Sequence, residues 1–352
     1  MTVGTSTIRD VARLASVSTA TVSNVLNGSR TVAAGTRERV LKAVEALGYS
    51  PHPAARSMRG GTSALLGLIV ADIINPFFTE LVHWVERAAH ANAYSVLLCN
   101  SDEDLEREQQ YLQLLRAQRV DGIILAATGH SSRERAAALG RLRVPVVLVD
   151  RGFEEFGLDA VILDNHGAAL LAMRHLLGFG HERIAMIGGP LTLSTGAQRL
   201  AGYRESLLEA GVRYDPRWVR DAGFREQPAY EAACALLALP ERPTAMFAAN
   251  NLIAIGIMRG ITDAGLRCPE DVSIVSIDDF AWANAFRPRL TTVAQPVEAM
   301  GEAAMRLLLG RLDGSATGPA RSEVMAPTLV VRDSCCAPVR SGNAAAVRQL
   351  QR

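Results

Sequence analysis

The chain has 352 residues, with 37 Lys or Arg against 36 Asp or Glu, so its formal net charge is only +1. Five scattered cysteines and no apolar run of membrane length argue against a disulfide-rich secreted domain or a membrane protein, and favour a reduced, cytoplasmic one. The charge is unevenly distributed. Residues 1–60 hold eight basic and three acidic residues (net +5), while the remainder holds 29 and 33 (net −4). A basic head on an acidic body is typical of a protein that binds phosphates.

Three short helices are predicted in this basic head. Thr7 opens a capping box with Asp10 three residues later, and an apolar stripe at helical spacing follows. After a short link without glycine or proline, Ser18 can cap a second helix, which Asn27-Gly28 ends. Thr36 is expected to cap the third helix. Two helices joined by so short a link indicate a helix-turn-helix.

The second predicted helix carries small polar side chains opposite its apolar face. Thr19, Ala20, Ser23 and Asn24 are expected to project from this polar face. Hydroxyl and amide groups can bond to base edges in the major groove, and an alanine methyl can contact a thymine methyl. The alternative interpretation is a small helical core element with a solvated face. The basic charge of the head favours DNA recognition.

The run from Thr7 to Met58 resembles the headpiece of the lactose-repressor/galactose-repressor (LacI/GalR) family of bacterial transcription regulators. The motif is V-S-x-x-T-V-S-x-V-L-N followed by T-R-x-R-V. The resemblance implies that Thr19, Ala20 and Asn24 read bases, with Ser23 beside them. The family often has Ser where this chain has Ala33, so one hydroxyl contact to the DNA backbone is expected to be missing. The side chains that the resemblance places at or near phosphates are Thr7, Ser18, Thr21, Asn27, Thr36 and Arg37.

Residues 51–61 are predicted to form a linker that holds a short helix. Two prolines begin this segment and Gly60-Gly61 end it, and so few residues do not form a stable helix alone. The resemblance implies a hinge helix that pairs with its twin from a second subunit in the minor groove. Ala55, Met58 and Arg59 would lie at that groove, with Met58 as the apolar wedge. The alternative is a flexible linker.

Residues 62–338 alternate apolar runs of strand length with longer amphipathic segments. Such a pattern predicts an α/β fold with parallel sheets covered on both faces. About 275 residues exceed one usual hydrophobic core, so two lobes are expected. The strands are predicted at 65–70, 95–98, 122–126, 146–149, 183–187, 244–248 and 273–277, and the helices near 77–91, 104–118, 166–178, 197–210, 228–238, 251–264 and 297–312.

Polar side chains follow several of these strands. Asp150, Asn250 and Asp278 come at or after strand ends, and Arg199 lies in a helix after the Gly188-Gly189 loop. Ligands of parallel sheets bind beyond the carboxyl ends of the strands. Carboxylates, an amide, a guanidinium and aromatic rings together are typical of a site for a polyhydroxylated ligand. Each polar residue alone could equally cap a helix.

The body also resembles the effector domain of the same family, on motifs such as N-P-F-F, V-D-G-I-I-L, Q-R-L-A-G-Y-R and P-E-D-V-S-I-V-S-I-D-D. The resemblance implies a helix-turn-helix headpiece (1–50) followed by a two-lobed, periplasmic-binding-protein-like domain. Lobe 1 would comprise about 62–163 and 294–325, and lobe 2 about 164–292 and 326–338, before a disordered tail over 339–352. The implied effector contacts are Phe77, Phe78, Asp150, Arg199, Phe224, Asn250 and Asp278.

The expected function is a ligand-responsive transcriptional regulator, a repressor that binds palindromic operator DNA as a homodimer or higher oligomer. A sugar or sugar derivative is the expected effector, acting as an inducer. Two departures from the family bear on this. Asn251 replaces the usual Asp near the cleft, and Leu193 stands where the purine-responsive branch has Arg, which argues against a purine.

Other classes of protein fit less well. The sequence has neither a G-x-S-x-G elbow nor a P-loop, and His181-Glu182 lacks the second histidine of a zinc protease. No catalytic residue, metal or cofactor is therefore expected. A solute-binding protein of a transport system would share the body, but the N-terminus shows no apolar secretory segment and the basic head would be unexplained. A DNA-binding regulator whose pocket no longer senses a ligand remains open, because of Asn251.

Overall fold

The structure is a computed structural model, and the basic head and the α/β body form two separate units that divide between residues 63 and 64. The three hinge residues Ala55, Met58 and Arg59 lie outside the described part of the chain, as does nearly all of the predicted tail. The structure describes residues 6–27, 31–49, 63–129, 132–153 and 157–339.

The N-terminal unit begins with helices α1 (Ile8–Ala15) and α2 (Thr19–Asn27). The backbone N–H and the hydroxyl of Thr7 donate to a carboxylate oxygen of Asp10, at 3.0 and 2.6 Å. The Thr21 N–H donates to the Ser18 hydroxyl oxygen at 3.1 Å. These bonds satisfy groups that a helix start leaves unpaired, so the predicted starts of both helices are confirmed.

The third helix, α3 (Ala34–Ala46), begins two residues before Thr36, so the prediction that Thr36 caps it is wrong. Ala33 occupies the cap position, and its carbonyl accepts the N–H groups of Thr36 and Arg37 at 2.9 and 3.0 Å. Because Ala34 already has helical geometry, the Thr36 hydroxyl lies inside the first turn rather than before it. The side chains buried between the three helices are Val11, Ala12, Ala15, Val22, Val25, Val40 and Ala43.

The C-terminal unit contains twelve strands in its described part. They are β1 (Leu65–Val70), β2 (Ser95–Asn100), β3 (Gly122–Leu125), β4 (Val146–Asp150), β5 (Asp159–Leu163), β6 (Ile184–Gly188), β7 (Val219–Asp221), β8 (Ala245–Ala248), β9 (Ser273–Ile277), β10 (Thr291–Ala294), β11 (Ser322–Met325) and β12 (Thr328–Val330).

These strands form two six-stranded sheets, with orders β11-β5-β4-β3-β1-β2 and β12-β10-β9-β8-β6-β7. Every neighbouring pair is parallel except β10 with β12. The first sheet is the centre of lobe 1 and the second that of lobe 2. The chain passes from one sheet to the other after β5, after β10 and after β11.

Helices cover both sheets. They are α4 (Pro76–Ala91), α5 (Leu105–Ala117), α6 (Arg133–Gly140), α7 (Asn165–Gly178), α8 (Ser194–Glu209), α9 (Glu226–Leu237), α10 (Asn251–Asp263) and α11 (Val297–Leu312). Short 3₁₀ helices span Pro216–Trp218 and Ala281–Asn284. The predicted fold class, a small helical head followed by an α/β body with parallel sheets, is confirmed.

Each lobe has its own hydrophobic core. The strands β1, β3, β4 and β6, β8, β9 are nearly continuous buried apolar runs, as expected for strands covered on both faces. Within the described ranges, no helix combines the length and the apolar character needed to cross a membrane. In the same ranges, no cluster of three or more His, Cys, Asp or Glu side chains is arranged to hold a metal ion.

Candidate DNA-reading helix and interlobe cleft

The exposed face of α2 carries most of the side chains predicted to read bases. Thr19 and Ala20 are exposed and Asn24 is half-buried. Ser23 is only 7 % exposed, so the prediction that it projects from this face is wrong. Helix α2 is short and packs against α1 and α3. A small side chain at the border of its polar face, such as that of Ser23, is therefore covered by neighbouring residues. The solvent-facing set is therefore Thr19, Ala20 and Asn24.

Most of the side chains predicted near phosphates lie at the starts of the three helices. Ser18 and Thr7 are exposed and Thr21 is half-buried, with the Ser18 and Thr21 hydroxyl oxygens 2.9 Å apart. A helix N-terminus presents unpaired N–H groups and a partial positive charge, which favour a phosphate. Arg37 is exposed on α3 and Thr36 is half-buried. Asn27 ends α2, and its side chain lies outside the described part of the chain.

A second candidate site lies in the C-terminal unit, in a cleft between the carboxyl ends of the two sheets. The space free of protein atoms along this cleft, with its opening to solvent included, is about 430 Å³. Both lobes line it, as expected for parallel sheets whose strand ends face each other. All seven residues predicted to contact an effector line this cleft: Phe77, Phe78, Asp150, Arg199, Phe224, Asn250 and Asp278.

A buried guanidinium lies at the centre of the cleft. Arg199 on α8 is 3 % exposed, and its Nε donates to Asn165 Oδ1 at 2.8 Å while one Nη donates to the Ala249 carbonyl at 2.5 Å. Its burial lowers the pKa of Arg199, and the nearby carboxylates of Asp278 and Asp150 oppose that shift. These two hydrogen bonds hold the Arg199 guanidinium in place, so it presents a well-oriented cationic donor to the cleft.

Two buried carboxylates, one from each lobe, flank this guanidinium. Burial raises the pKa of Asp150 to about 6, although Arg151 and Arg199 lower it. Burial likewise raises the pKa of Asp278, opposed by Arg199 and by the Gln295 side chain, which donates to Asp278 Oδ1 at 2.5 Å. Arg151 Nε also lies 3.4 Å from Asp150 Oδ2, so two guanidinium groups balance the two carboxylates, whose remaining lone pairs can accept the hydroxyl groups of a ligand.

The backbone at three cleft residues has left-handed geometry. Asp150, Phe224 and Asp278 have φ angles of 68°, 59° and 71°, which are uncommon for residues with a side chain. Asp150 ends β4 and Asp278 follows β9, so the turn directs each carboxylate across the end of its sheet. Such conformations persist where the surroundings enforce them, often at binding sites.

Aromatic rings form the apolar part of the cleft. The rings of Phe77 and Phe78 meet edge to face at 5.0 Å between centroids, and the Arg199 guanidinium lies 5.7 Å from the centroid of the Phe224 ring. A Cβ on Gly189 would come within 2.3 Å of that ring, so only glycine fits there without displacing it. Gly189 therefore maintains the position of Phe224.

Asn250 behaves differently from the other predicted contacts. Its Oδ1 accepts the N–H of Ile253 at 2.9 Å and so caps α10, while its Nδ2 donates to the Phe224 carbonyl at 3.2 Å. Asn250 is therefore a helix cap, which is the alternative role expected for a polar residue after a strand. Asn250 positions Phe224 and α10 at the edge of the cleft.

Sequence reasoning missed several residues that line the cleft, among them Asn75, Thr195, Arg225 and Gln295. The Thr195 hydroxyl is buried and has no hydrogen-bond partner in the described structure. Gln295 follows β10, a strand that was not predicted, so no signal marked it as a strand-end residue. Asn75 precedes the predicted Phe77 and Phe78 in one motif, and its polar side chain was the available signal.

A helix-turn-helix head joined to a two-lobed α/β body with a polar cleft defines the class of ligand-binding transcription regulators. Residues 7–52 match the family of bacterial regulatory proteins called the lacI family, and residues 173–335 match the periplasmic binding protein-like domain. Together with the relatives below, these matches show that the chain belongs to the LacI family of bacterial transcriptional regulators. The resemblance stated from the sequence is confirmed.

Curated relatives and solved structures agree with this assignment. The HTH-type transcriptional repressor PurR of Aliivibrio salmonicida (strain LFI1238) is 36 % identical over 306 residues, which are 87 % of this chain and 92 % of that protein. The CelR–cellobiose complex, a transcriptional regulator, is 34 % identical with a TM-score of 0.70, covering 94 % of this chain and 99 % of that one. The Lac repressor dimer bound to operator and the anti-inducer ONPF is 28 % identical with a TM-score of 0.83, covering 95 % and 100 %.

Proposed function

We propose that the protein is a repressor that binds a palindromic operator as a homodimer and is released from it when a small molecule binds in the cleft. The observation that carries this proposal is the Asp150–Arg199–Asp278 arrangement in the cleft of a chain that also carries an exposed helix-turn-helix face. The similarity to PurR repressors and to the operator-bound Lac repressor dimer supports it. A bacterial protein that binds operator DNA acts in the cytoplasm, so we propose that location for this protein.

The DNA contacts are divided among three segments in this proposal. In the headpiece (residues 1–50), Thr19, Ala20 and Asn24 read bases in the major groove, while Ser18, Thr21 and Arg37 contact phosphates. In the hinge (51–61), Met58 wedges a base step in the minor groove. Residues 62–338 bind the effector. The basic charge of residues 1–60 and the exposure of Thr19 and Ala20 support the assignment.

The cleft favours a neutral polyhydroxylated effector. Asp150 and Asp278 offer oxygen acceptors to hydroxyl groups, Arg199 offers a donor, and the phenylalanine rings offer faces on which a sugar ring can stack. Four carboxylates line the cleft against three guanidinium groups, so the lining offers an anionic ligand no net positive charge. A neutral sugar is therefore favoured over a sugar acid. The cellobiose complex of the similar regulator CelR supports this class.

A planar base is the alternative effector, since aromatic rings stack on planar heterocycles as well. The overall similarity to PurR repressors favours it. Leu193 opposes it, because this side chain is 4 % exposed and belongs to the apolar core of lobe 2, so it leaves no guanidinium at that position.

Control of DNA binding would follow from movement of the two lobes. In a dimer, effector binding would change the separation of the two hinge segments and so decide whether they order on the minor groove. A coupling of about 1–3 kcal/mol is enough to change operator affinity about 5- to 150-fold. In this proposal, effector binding lowers the operator affinity and so releases the protein from DNA.

The test is operator binding, measured by fluorescence anisotropy on DNA from upstream of the gene and titrated with neutral sugars, sugar acids and purine bases. Release by a neutral sugar is the expected result. Tighter binding with the active compound would make that compound a corepressor and reverse the proposed sign. Release by a purine base alone would replace the sugar assignment, and absence of specific DNA binding would refute the regulatory function.

A further inference from the structure

A buried hydrogen bond joins the two lobes inside the cleft. Asn251, the first residue of α10 in lobe 2, donates from its Nδ2 to the Oδ1 of Asn75, which caps α4 in lobe 1, at 3.0 Å. Asn251 is fully buried and Asn75 is 6 % exposed. A neutral hydrogen bond without competing water stabilises the arrangement in which both ends are in place.

The chemistry of Asn75 determines the direction of this bond. Its Oδ1 also accepts the backbone N–H of Phe77 at 2.9 Å, as a helix cap requires. The oxygen is therefore held toward the cleft, and the partner across the cleft has to be a donor. An amide at position 251 supplies one.

A carboxylate at position 251 would have no proton to donate when ionised. It would face the Asn75 oxygen and lie close to Asp278, whose carboxylate accepts the backbone N–H of Asn251. Both contacts would be repulsive in a buried setting. The amide of Asn251 therefore gives an attraction between the lobes where a carboxylate would give a repulsion.

A second lobe-to-lobe contact lies at the rim of the cleft. One Nη of Arg225, before α9 in lobe 2, donates to the carbonyl and to a carboxylate oxygen of Asp102 in lobe 1, at 3.1 and 3.0 Å. Asp102 and Glu103 have left-handed φ angles of 55° and 59°, a geometry that turns this loop toward Arg225. Both charged side chains are more than one-third exposed, so the pair adds less than the buried bond.

We propose that Asn251 is a positioning residue that holds the cleft closed in the absence of effector, through its bond to Asn75 and with help from Arg225 and Asp102 at the rim. A cleft that is already closed binds its effector more tightly, because less of the binding free energy is used to close it. The inference rests on the proposed function only in taking this cleft as the effector site. Closure itself is a property of the protein without ligand.

Hydrogen exchange on the full-length protein without ligand tests the proposal, at mildly alkaline pH where an introduced carboxylate is ionised. The readout is the exchange of backbone amides at the start of α4 (residues 77–79) and at the start of α10 (251–254). Asn251→Asp should raise exchange about tenfold at both places, the scale expected for loss of a buried hydrogen bond. A purely local role for Asn251 would raise exchange in α10 alone.

Asn75→Asp is the matched control. The new carboxylate brings a buried charge to the same contact but keeps an oxygen acceptor for both the Phe77 N–H and the Asn251 amide, so exchange should rise less at both places than in Asn251→Asp. Equal effects of Asn75→Asp and Asn251→Asp would overturn the proposal, as would an Asn251→Asp variant with unchanged exchange in lobe 1. Failure to find an effector would affect the proposed function and leave this result intact.

Arg225→Gln provides a second variant that does not disturb the core, in case Asn251→Asp does not fold. It removes the rim ion pair, and exchange should rise about twofold at both helix starts, as expected for a partly exposed pair. Unchanged exchange at both helix starts would show that the contact between Arg225 and Asp102 does not help to hold the cleft closed.

Discussion

Asp278 is the residue at which the effector assignment is tested most simply. Asp278→Asn keeps the shape of the side chain but removes the charge that faces Arg199. Because hydrogen bonds to charged groups contribute about 1.5–3 kcal/mol, the affinity for the releasing compound should fall roughly 10- to 100-fold. Operator affinity without that compound should stay unchanged, and both are measured by anisotropy titration.

The neighbouring residue offers a matched control. Asp279 bonds to Arg332 and Thr292 and does not line the cleft, so Asp279→Asn should keep the effector response. A normal response of Asp278→Asn, or equal losses in both variants, would refute the role of Asp278 in binding.

Asp150 should leave a signature in the pH dependence of stability. Burial raises its pKa from 3.8 to about 6, so between these pH values the folded chain binds more protons than the unfolded chain. The contribution of Asp150 to the free energy of unfolding therefore decreases as pH rises from about 4 to about 6, by roughly 1.4 kcal/mol per pH unit. Urea unfolding of wild type and Asp150→Asn isolates this contribution.

The difference in unfolding free energy between Asp150→Asn and wild type should grow in favour of the variant as pH rises through that window. A difference that is constant from about pH 4 to about pH 7 would show that Asp150 is not destabilised by burial.

At the scale of secondary-structure elements, α2 should control which operator is preferred. Thr19 and Asn24 present polar groups at its exposed and half-buried positions. Substituting either should change the preference among operator variants by about 1–3 kcal/mol at one base pair, because a side chain that bonds to a base edge discriminates by that amount. Competition binding over a panel of single-base operator variants measures this.

Arg37→Gln is the corresponding control for phosphate contacts. It should weaken binding to all operator variants alike and reduce the salt dependence of binding by about one phosphate contact. Uniform losses for the Thr19 and Asn24 variants, indistinguishable from those of Arg37→Gln, would contradict base reading by α2.

The elements that the sequence predicted well are those with a strong local pattern. Strands β1 and β9 begin and end as predicted, because each is a largely buried run rich in Leu, Ile or Val that is followed within two residues by an aspartate, Asp72 or Asp278. The strands β5, β7, β10, β11 and β12 were missed. Strands β7, β11 and β12 have three or four residues each and lie at the edges of their sheets, partly exposed, so no apolar run marks them. Strands β5 and β10 are mostly buried, but Asp159 in the first and Thr291 and Thr292 in the second interrupt the apolar pattern. Helix α6 was missed because its apolar stripe is weak.

The candidate cleft could be predicted only in part for a related reason. Polar residues at the ends of well-marked strands were found, since position in the sheet brings them together. Gln295 follows an unmarked strand, and Arg225 and Thr195 reach the cleft from helix starts. The Asn75–Asn251 bond depends on how the two lobes meet, which no local pattern encodes.

At the scale of the whole molecule, the proposed function requires that the cleft and the N-terminal helical unit be coupled. Coupling of two binding sites is reciprocal: if the effector weakens operator binding, the operator must weaken effector binding by the same factor. This reciprocity distinguishes a ligand-controlled repressor from a DNA-binding protein whose cleft no longer responds to a ligand.

Isothermal titration calorimetry of the releasing sugar into the full-length protein, with and without saturating operator DNA, measures this coupling. Effector affinity should be lower on the operator-bound protein by about 5- to 150-fold, and by the same factor that the sugar weakens operator binding. Equal affinities for free and operator-bound protein would contradict the coupling.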